Sequence, residues 1–211
     1  MIEWLERVVP EAAGKPNPLE IAQVMQPTTR QFAFEPESWT PERAKQTAGL
    51  FDSLAPTWRD RASELRDDAL QDAFARGAVP DGLVLEVGSG TGVFTWWLAE
   101  RTRRLVAVDL SLEMLRLAPA DAAPRVCADA ATLPVPDACV DALVLVNCFL
   151  FPPEADRVIA PGGALVWVST LGDYTPIYLS AEDVVEALPG RWHGVASEAG
   201  WGSWAVVGRA P

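Results

Sequence analysis

The stretch LVLEVGSGTGVFTWWLAE, residues 83–100, joins an apolar run to a helix-like run through three glycines at alternate positions. The apolar run LVLEV, residues 83–87, is typical of a strand that is buried on both faces. The turn contains Gly88, Gly90 and Gly92, and glycine permits positive φ and a close approach of a ligand to the backbone. The start of the following helix offers free N–H groups. The stretch therefore predicts a ligand-binding loop between a strand and a helix.

The spacing of these glycines differs from two common phosphate-binding loops. A dinucleotide fingerprint, G-x-G-x-x-G, has its third glycine at position 93, which is Val93 here. A P-loop needs Lys and then Ser or Thr after its last glycine, whereas Gly92 is followed by Val93 and Phe94. A structural strand-to-helix turn without a ligand is the alternative interpretation.

Alternating apolar and helical stretches follow the loop and predict the fold class. The expected strands are LVLEV (83–87), RLVAVDL (104–110), RVCAD (125–129), VDALVLVN (140–147) and GALVWVST (163–170), and residues 192–210 form a closing hairpin. Between the fifth strand and the hairpin, Ser180 caps a helix over residues 180–188. This order indicates an α/β, Rossmann-like, doubly wound sheet that is mostly parallel, with a ligand crevice at the carboxyl ends of its strands.

Residues 1–79 are expected to form an N-terminal helical extension, and residues 80–211 the core domain. At the start of the extension, Trp4, Leu5, Val8 and Val9 share one face of a predicted short helix, and residues 31–39 are expected to be extended. A second helix is predicted after Thr40, which caps it, with Pro41 in its first turn. Pro56 should break this helix, and a charged helix should follow over residues 59–76.

Composition limits the classes of partner. The formal net charge of −12 argues against nucleic acid and anionic membranes, because phosphate contacts need clustered Lys and Arg. No apolar run reaches the ~18–20 residues of a membrane span, and the first residues lack the basic start of a signal peptide, so we expect a cytoplasmic protein. The three cysteines lack metal-type spacing, so no metal site is expected. A small-molecule substrate fits these limits, and so does a protein partner with a basic patch.

Acidic residues at strand ends narrow the ligand further. Asp109 ends the second core strand, where a carboxylate can accept both hydroxyls of a ribose. Asp129 ends the third strand and precedes Ala130, near the expected position of an adenine amino group. Glu86, just before the glycine loop, can attract an ammonium group. These acids suit a ligand with ribose, adenine and an ammonium group but without phosphate, which they would repel.

The pieces LEVGSGTG, AVDLSLEML, CADAATLPVPDACVDALVLVN and APGGALVWVST resemble, in this order, the class I S-adenosylmethionine-dependent methyltransferases. The resemblance covers about residues 80–211, and FDSLAPTWRDR (51–61) looks like the segment before the core in the ubiquinone/menaquinone-biosynthesis type. It implies a seven-stranded sheet with the last strand antiparallel, S-adenosyl-L-methionine as cofactor, and methyl transfer as the activity. The cofactor-binding residues that it implies are Glu86, Gly88, Ser89, Gly90, Gly92, Asp109, Leu110, Asp129, Ala130 and Asn147.

The substrate side of the site is less defined by the sequence. Candidate substrate contacts are Phe51, Trp58, Phe149, Tyr174, Tyr178 and Trp201, and the candidates for a catalytic base are Asp173 and Tyr174. His193 begins a strand and is expected at the end of the sheet opposite the crevice. The aromatic residues of segment 1–60 suggest a cover over the crevice, with a helical pair on the back of the sheet as the alternative. Two other functions stay open: a different reaction that uses the bound sulfonium, and a non-catalytic module that binds the cofactor and a protein partner.

Overall fold

The computed structural model describes residues 1–11, 13–14, 20–58 and 67–209. Its strands are β1 (Ile2–Trp4), β2 (Leu83–Val87), β3 (Arg104–Asp109), β4 (Arg125–Cys127), β5 (Val140–Val146), β6 (Ile159–Ser169), β7 (Trp192–Ala199) and β8 (Gly202–Arg209). Its α-helices are α1 (Glu20–Phe34), α2 (Pro41–Leu54), α3 (Asp68–Arg76), α4 (Thr95–Ala99), α5 (Leu112–Leu117), α6 (Pro152–Val158) and α7 (Ala181–Ala187). Short 3₁₀ turns cover Pro36–Ser38, Ala55–Thr57 and Gly172–Tyr174. Within these ranges, no helix combines the length and apolar character needed to cross a membrane.

One sheet organises the described part of the chain, in the order β1-β7-β8-β6-β5-β2-β3-β4. Strand β8 runs antiparallel to both β6 and β7, and the other pairs are parallel. The prediction of a Rossmann-like, mostly parallel sheet with an antiparallel last strand is confirmed. The strand order reverses between β2 and β5, and this switch point, at the carboxyl ends of the strands, is where open α/β sheets bind ligands.

The sheet has eight strands instead of the expected seven, because the start of the chain adds β1 at its edge. The helix predicted from Trp4, Leu5, Val8 and Val9 is wrong, because residues 2–4 form a strand and residues 5–11 contain no helix. Ile2–Trp4 instead pairs in parallel with β7, and the amide of Leu5 continues this pairing by donating to the carbonyl of Ala196 at 2.8 Å. A helix of about nine residues is marginal in water, whereas the unpaired edge of β7 offers ready hydrogen-bonding groups.

Two apolar cores lie on the two faces of the sheet, because successive residues of a strand point to opposite sides. Leu85, Leu145 and Trp167 belong to one core, into which α6 and α7 pack. Val84, Val144 and Trp204 belong to the other, which α3 and α4 cover. This two-sided burial explains why the core strands are almost continuously apolar in sequence.

The predicted helix signals of the other regions are largely confirmed. Thr40 caps α2 by accepting a hydrogen bond from the amide of Arg43 at 3.3 Å, and Ser180 caps α7 by accepting from the amide of Asp183 at 3.0 Å. The break expected at Pro56 coincides with the 3₁₀ turn after α2. Of the helix predicted over residues 59–76, the first part (59–66) lies outside the described residues, and the rest forms α3.

The expectation of extended chain over residues 31–39 is wrong for its first four residues, because α1 continues to Phe34. Phe32 and Ala33 are buried in the tertiary structure, and this packing outweighs the weak helical signal of the local sequence. The chain then turns through Pro36–Ser38 into α2.

Helices α1 and α2 lie against the loops at the carboxyl ends of the core strands. The Gln26 side chain of α1 donates to the carbonyls of Asp173 and Thr175, after β6. Near the end of α2, Asp52 accepts a hydrogen bond of 2.5 Å from the Ser111 hydroxyl, after β3. These contacts place parts of α1 and α2 beside the loops after β6 and β3, and the role of this segment as a cover stays a prediction. The boundary between an extension and a core at residue 80 stays a prediction.

Candidate functional site

The glycine loop after β2 has a backbone that only glycine adopts readily. Gly88, Gly90 and Gly92 have φ values of +75°, +55° and +77°. A Cβ added to Gly88 would lie 2.6 Å from Sγ of Cys148, so this position also lacks space for a side chain. The loop therefore exposes bare backbone at the switch point of the sheet.

Two hydroxyl groups in the glycine loop are buried without a hydrogen-bond partner in the structure. Ser89 and Thr91 are 7% and 2% exposed, and Ser89 Oγ and Thr91 Oγ1 are among the buried side-chain oxygens for which the described residues supply no partner. An unsatisfied buried polar group costs about 1–3 kcal/mol, so such groups point to a missing ligand or water. Ser89 was predicted from the sequence as a cofactor residue. Thr91 was not, although it lies inside the same motif.

Asp109, at the end of β3, holds the glycine loop. Its Oδ2 accepts the Gly90 amide and its Oδ1 accepts the Ser111 amide, both at 2.7 Å. Burial raises the pKa of Asp109, and the nearby Asp52 adds to this, while the amide hydrogen bonds act in the opposite direction. The carboxylate thus lies directly beside the loop, where its remaining lone pairs can accept hydroxyl groups. Leu110, also predicted, follows it and is half-buried.

Glu86 lies in β2, two residues before Gly88, and is 2% exposed. Its Oε2 accepts a hydrogen bond of 2.6 Å from the hydroxyl of Thr95, the first residue of α4. Burial raises the pKa of Glu86 to about 8, and the charge of Asp109 contributes in the same direction. A cationic ligand at the loop would favour the ionised form of this carboxyl.

Asp129 lies in the loop after β4, which ends at Cys127 and not at Asp129 as predicted. Its Oδ1 accepts the amide of Ala131 at 2.8 Å. The indole Nε1 of Trp39 donates to the same carboxylate, at 2.9 Å from Oδ2 and 3.2 Å from Oδ1. Ala130, the predicted neighbour of an adenine, is half-buried beside it. The sequence analysis missed the Trp39 contact, and no local signal connects residues 90 positions apart.

Asn147 follows β5 and has a left-handed backbone, with φ at +50°. Its side-chain Nδ2 donates to Thr170 Oγ1 at 2.8 Å, and its Oδ1 accepts the Thr170 amide at 2.9 Å. Asn147, predicted as a cofactor residue, therefore lies at the crevice, but its amide group ties the carboxyl ends of β5 and β6 together. A non-glycine residue with this φ is uncommon and marks a constrained position at the switch point.

Phe51 and Trp58, predicted as substrate contacts, lie near the glycine loop. Their rings meet edge to face, with centroids 5.8 Å apart. The Trp58 Nε1 would lie 3.6 Å from a Cβ added at Gly90, so this indole lies over the loop. The structure thus brings the end of α2 to the predicted cofactor residues.

An aromatic cluster lies next to Ala130. Its buried aromatic members are Phe32, Phe149 and Phe151; the buried Ile177 packs with them, and so does the partly buried Trp39. Phe149 was predicted as a substrate contact, and its ring centroid lies 5.1 Å from that of Phe32 in α1. Residues from the N-terminal segment and from the loop after β5 therefore form one contiguous apolar cluster.

The remaining candidates follow β6 and β7. Asp173 is exposed in the 3₁₀ turn Gly172–Tyr174, and Tyr174 and Trp201 are half-buried. Burial raises the pKa of Tyr178, and the acidic side chains around it, Asp173 the foremost, raise it further. Asp173 and Tyr174 follow β6 and Trp201 follows β7, so they lie on the carboxyl side of the sheet, where Gln26 of α1 donates to the Asp173 carbonyl.

His193 lies near the amino end of β7, as predicted. It pairs with Gly208 of β8, which in turn pairs with Ala164 of β6. This register places His193 at the end of the sheet opposite the loops that carry Glu86 and Asp109. A histidine base is therefore absent from the crevice in the described structure.

Comparison with known proteins gives one family. Residues 85–167 match the model of a methyltransferase domain. The chain is 34% identical over 144 residues to the biotin biosynthesis bifunctional protein BioHC of Cellvibrio japonicus, a match that covers 64% of this chain and 27% of that longer protein. It is 32% identical over 173 residues to a demethylmenaquinone methyltransferase of Mycolicibacterium gilvum, covering 72% of this chain and 73% of the relative. Among solved structures, DhpI in complex with SAH has a similar fold, with a TM-score of 0.57, 21% identity, and coverage of 90% of this chain and 98% of that chain.

Proposed function

The chain belongs to the class I S-adenosylmethionine-dependent methyltransferases, and on this premise we propose that it transfers the methyl group of S-adenosyl-L-methionine to a small-molecule acceptor. The observation that carries the proposal is the glycine loop with its two unsatisfied hydroxyls, flanked by Glu86, Asp109 and Asp129 near the ends of three adjacent strands. Such a site attracts a ligand that is rich in hydroxyl and amino donors and carries no phosphate.

The cofactor fits this arrangement of residues. In our proposal, Glu86, Ser89 and the three loop glycines hold its methionine end, where the ammonium group would meet the buried carboxyl. Asp109, beside the loop, accepts the ribose hydroxyls, with Leu110 next to it. Asp129 and Ala130 receive the adenine. Asn147 contributes by fixing the ends of β5 and β6 and not through a free side-chain amide.

Bound S-adenosyl-L-methionine supplies an electrophilic methyl group on a sulfonium, so little further activation is needed from the protein. The residues of the chain have to orient the acceptor and exclude water. We assign the second role to the N-terminal segment, since Trp58 lies over Gly90 and Trp39 contacts Asp129. Asp173 and Tyr174 are the candidates for a base if the acceptor has to lose a proton.

The acceptor is proposed to be a small molecule with apolar surface. The aromatic cluster of Phe32, Trp39, Phe149 and Phe151 lies next to the proposed adenine site and offers such a molecule an apolar wall. The name of the Mycolicibacterium relative gives demethylmenaquinone, a small molecule, as the acceptor of that protein. The net charge of −12 argues against nucleic acid as the acceptor.

Binding and turnover test the proposal separately. Calorimetry should detect binding of S-adenosylhomocysteine in preference to NAD and ATP, and tighter binding of either nucleotide would refute the cofactor assignment. Incubation of the protein with methyl-labelled cofactor and metabolite extracts should then transfer label to a small molecule and release S-adenosylhomocysteine. Binding without turnover across a broad panel of acceptors would favour a non-catalytic module.

A further inference from the structure

The hydrogen bond between Trp39 and Asp129 connects the N-terminal segment with the proposed adenine site. The indole Nε1 lies 2.9 Å from Oδ2 and 3.2 Å from Oδ1, so one N–H group is shared by the two oxygens of the carboxylate. Within the described residues, the other donor to this carboxylate is the amide of Ala131, 2.8 Å from Oδ1. Trp39 thus contributes half of the donors that fix the orientation of Asp129.

The position of Trp39 is itself well determined. Its ring centroid lies 4.9 Å from that of Phe32 and 5.0 Å from that of Phe151. The next residue, Thr40, caps α2, which fixes the backbone on the other side. A side chain held by packing and by a helix cap can orient its hydrogen-bond partner, because it has little freedom to move away.

The acceptor capacity of Asp129 leaves room for a further donor. An ionised carboxylate offers about four lone-pair sites, whereas an indole is a donor only. Within the described residues, Oδ1 accepts from both Trp39 and the Ala131 amide, whereas Oδ2 accepts only the shared indole N–H. The pair therefore presents an acceptor oxygen and no further donor. A 6-amino group on a purine matches this oxygen, and a 6-oxo group does not.

We propose that Trp39 is a positioning residue, which holds Asp129 in the orientation that accepts the 6-amino group of adenine and so sets the preference of the site for adenine over hypoxanthine. The inference rests on the proposed function, because it takes Asp129 as the acceptor for the adenine of the cofactor. It adds a residue from outside the core domain to the recognition of the nucleoside.

The test compares the affinities of two probes, S-adenosylhomocysteine and S-inosylhomocysteine, which differ at purine position 6 and in the proton that the 6-oxo form carries on N1. Wild-type protein should prefer the adenine probe, and in Trp39→Phe the ratio of the two affinities should fall about tenfold, the scale of one hydrogen bond to a charged group. Phenylalanine keeps an aromatic ring against Phe32 and Phe151 but lacks the N–H group. A packing role alone would change both affinities by the same factor and leave the ratio unchanged, which would overturn the proposal.

Two further variants complete the design. Trp97→Phe is the matched control, because Trp97 packs edge to face on Phe74 in the core on the other face of the sheet. The ratio of the two probe affinities in Trp97→Phe should equal that of the wild type. In an Asp129→Asn background, Trp39→Phe should cause no further loss of preference, whereas an additional tenfold loss would show that Trp39 acts independently of Asp129. If Trp39→Phe does not purify in folded form, Trp39→Leu, which also lacks a hydrogen-bond donor, is assessed by the same ratio.

The outcomes separate this inference from the function on which it rests. A wild-type protein that binds neither probe would refute both. Equal wild-type affinity for the two probes would refute the role of Trp39 and Asp129 while leaving a methyltransferase site in place. A gain in affinity for S-adenosylhomocysteine in Trp39→Phe would show that the indole competes with adenine, which also contradicts the proposal.

Discussion

Thr95 and Glu86 form a buried hydrogen bond across the glycine loop, with the Thr95 hydroxyl 2.6 Å from Glu86 Oε2. Both side chains are almost completely buried, and the charge of the nearby Asp109 adds to the effect of burial on the pKa of Glu86. One hydroxyl donor offsets only part of the cost of burying a charged carboxylate, so the pKa rises to about 8. The protonation state of Glu86 should therefore affect the stability of the protein before any ligand binds.

The contribution of Glu86 to stability should fall as the pH rises. A carboxyl whose pKa increases from 4.5 to about 8 on folding holds its proton more tightly in the folded chain. Its contribution is then fully present below pH 4.5 and is lost as the pH rises through about 8. We expect the free energy of unfolding of the wild type, relative to Glu86→Gln, to decrease over this range in urea titrations without cofactor. Since Gln does not titrate, a difference that stays constant with pH would contradict the raised pKa.

Replacement of Asp109 by Ala should weaken the binding of S-adenosylhomocysteine by about 1–3 kcal/mol, because ribose hydroxyls would lose their acceptor. The Gly90 and Ser111 amides also lose theirs, so part of the effect would come from the loop. Asp109→Asn is the matched variant, since it keeps one acceptor oxygen, and its loss should be smaller. Calorimetry measures both. Unchanged affinity in Asp109→Ala, with an intact fold, would exclude Asp109 as the ribose acceptor.

Gly88→Ala should destabilise the protein by more than positive φ alone explains. An alanine at this φ costs about 1–2 kcal/mol, and its Cβ would also meet Cys148 Sγ at 2.6 Å. Gly190 provides the control, because it has a φ of +83° and no heavy atom within 4 Å of an added Cβ. We therefore expect a greater loss of unfolding free energy in Gly88→Ala than in Gly190→Ala. Equal losses would show that the contact with Cys148 relaxes at no cost.

The N-terminal segment should become more protected when S-adenosylhomocysteine binds. Trp39 and Trp58 contact the two ends of the proposed cofactor site, so a ligand there stabilises the segment that carries them. Amide exchange should slow over residues 31–40 and 51–58, while strand β1, at the far edge of the sheet, serves as an internal control. Exchange that is independent of the ligand in both segments would leave them only a packing role. Deletion of residues 1–40 is a less specific test, because it also removes β1 from the sheet.

The core of the fold could be predicted because its signals are local. A strand that is buried on both faces is apolar throughout, as in LVLEV, and this property does not depend on which strand lies beside it. The glycine loop was identifiable for the same reason, since three positive φ values require glycine at those positions. Asp109 could be placed because its carboxylate ends a strand whose position followed from the alternation.

The errors concern contacts between distant parts of the chain. The apolar residues between Trp4 and Val9 have a helical spacing, but the free edge of β7, almost 190 positions later, recruits Ile2–Trp4 as a strand. Similarly, nothing near Trp39 in sequence indicates a hydrogen bond to Asp129. The reciprocal bonds between Asn147 and Thr170 were also missed, because they depend on the registry of two adjacent strands. Local patterns specify elements, whereas these contacts depend on tertiary structure.

The pairing of β1 with β7 has a consequence for folding during synthesis. Ile2–Trp4 leaves the ribosome long before its partner, Trp192–Ala199. Contacts of such large sequence separation form slowly, because a long loop has to close before they stabilise the chain. During translation β1 therefore stays unpaired, and it can join the edge of the sheet only after the hairpin of β7 and β8 has been synthesised.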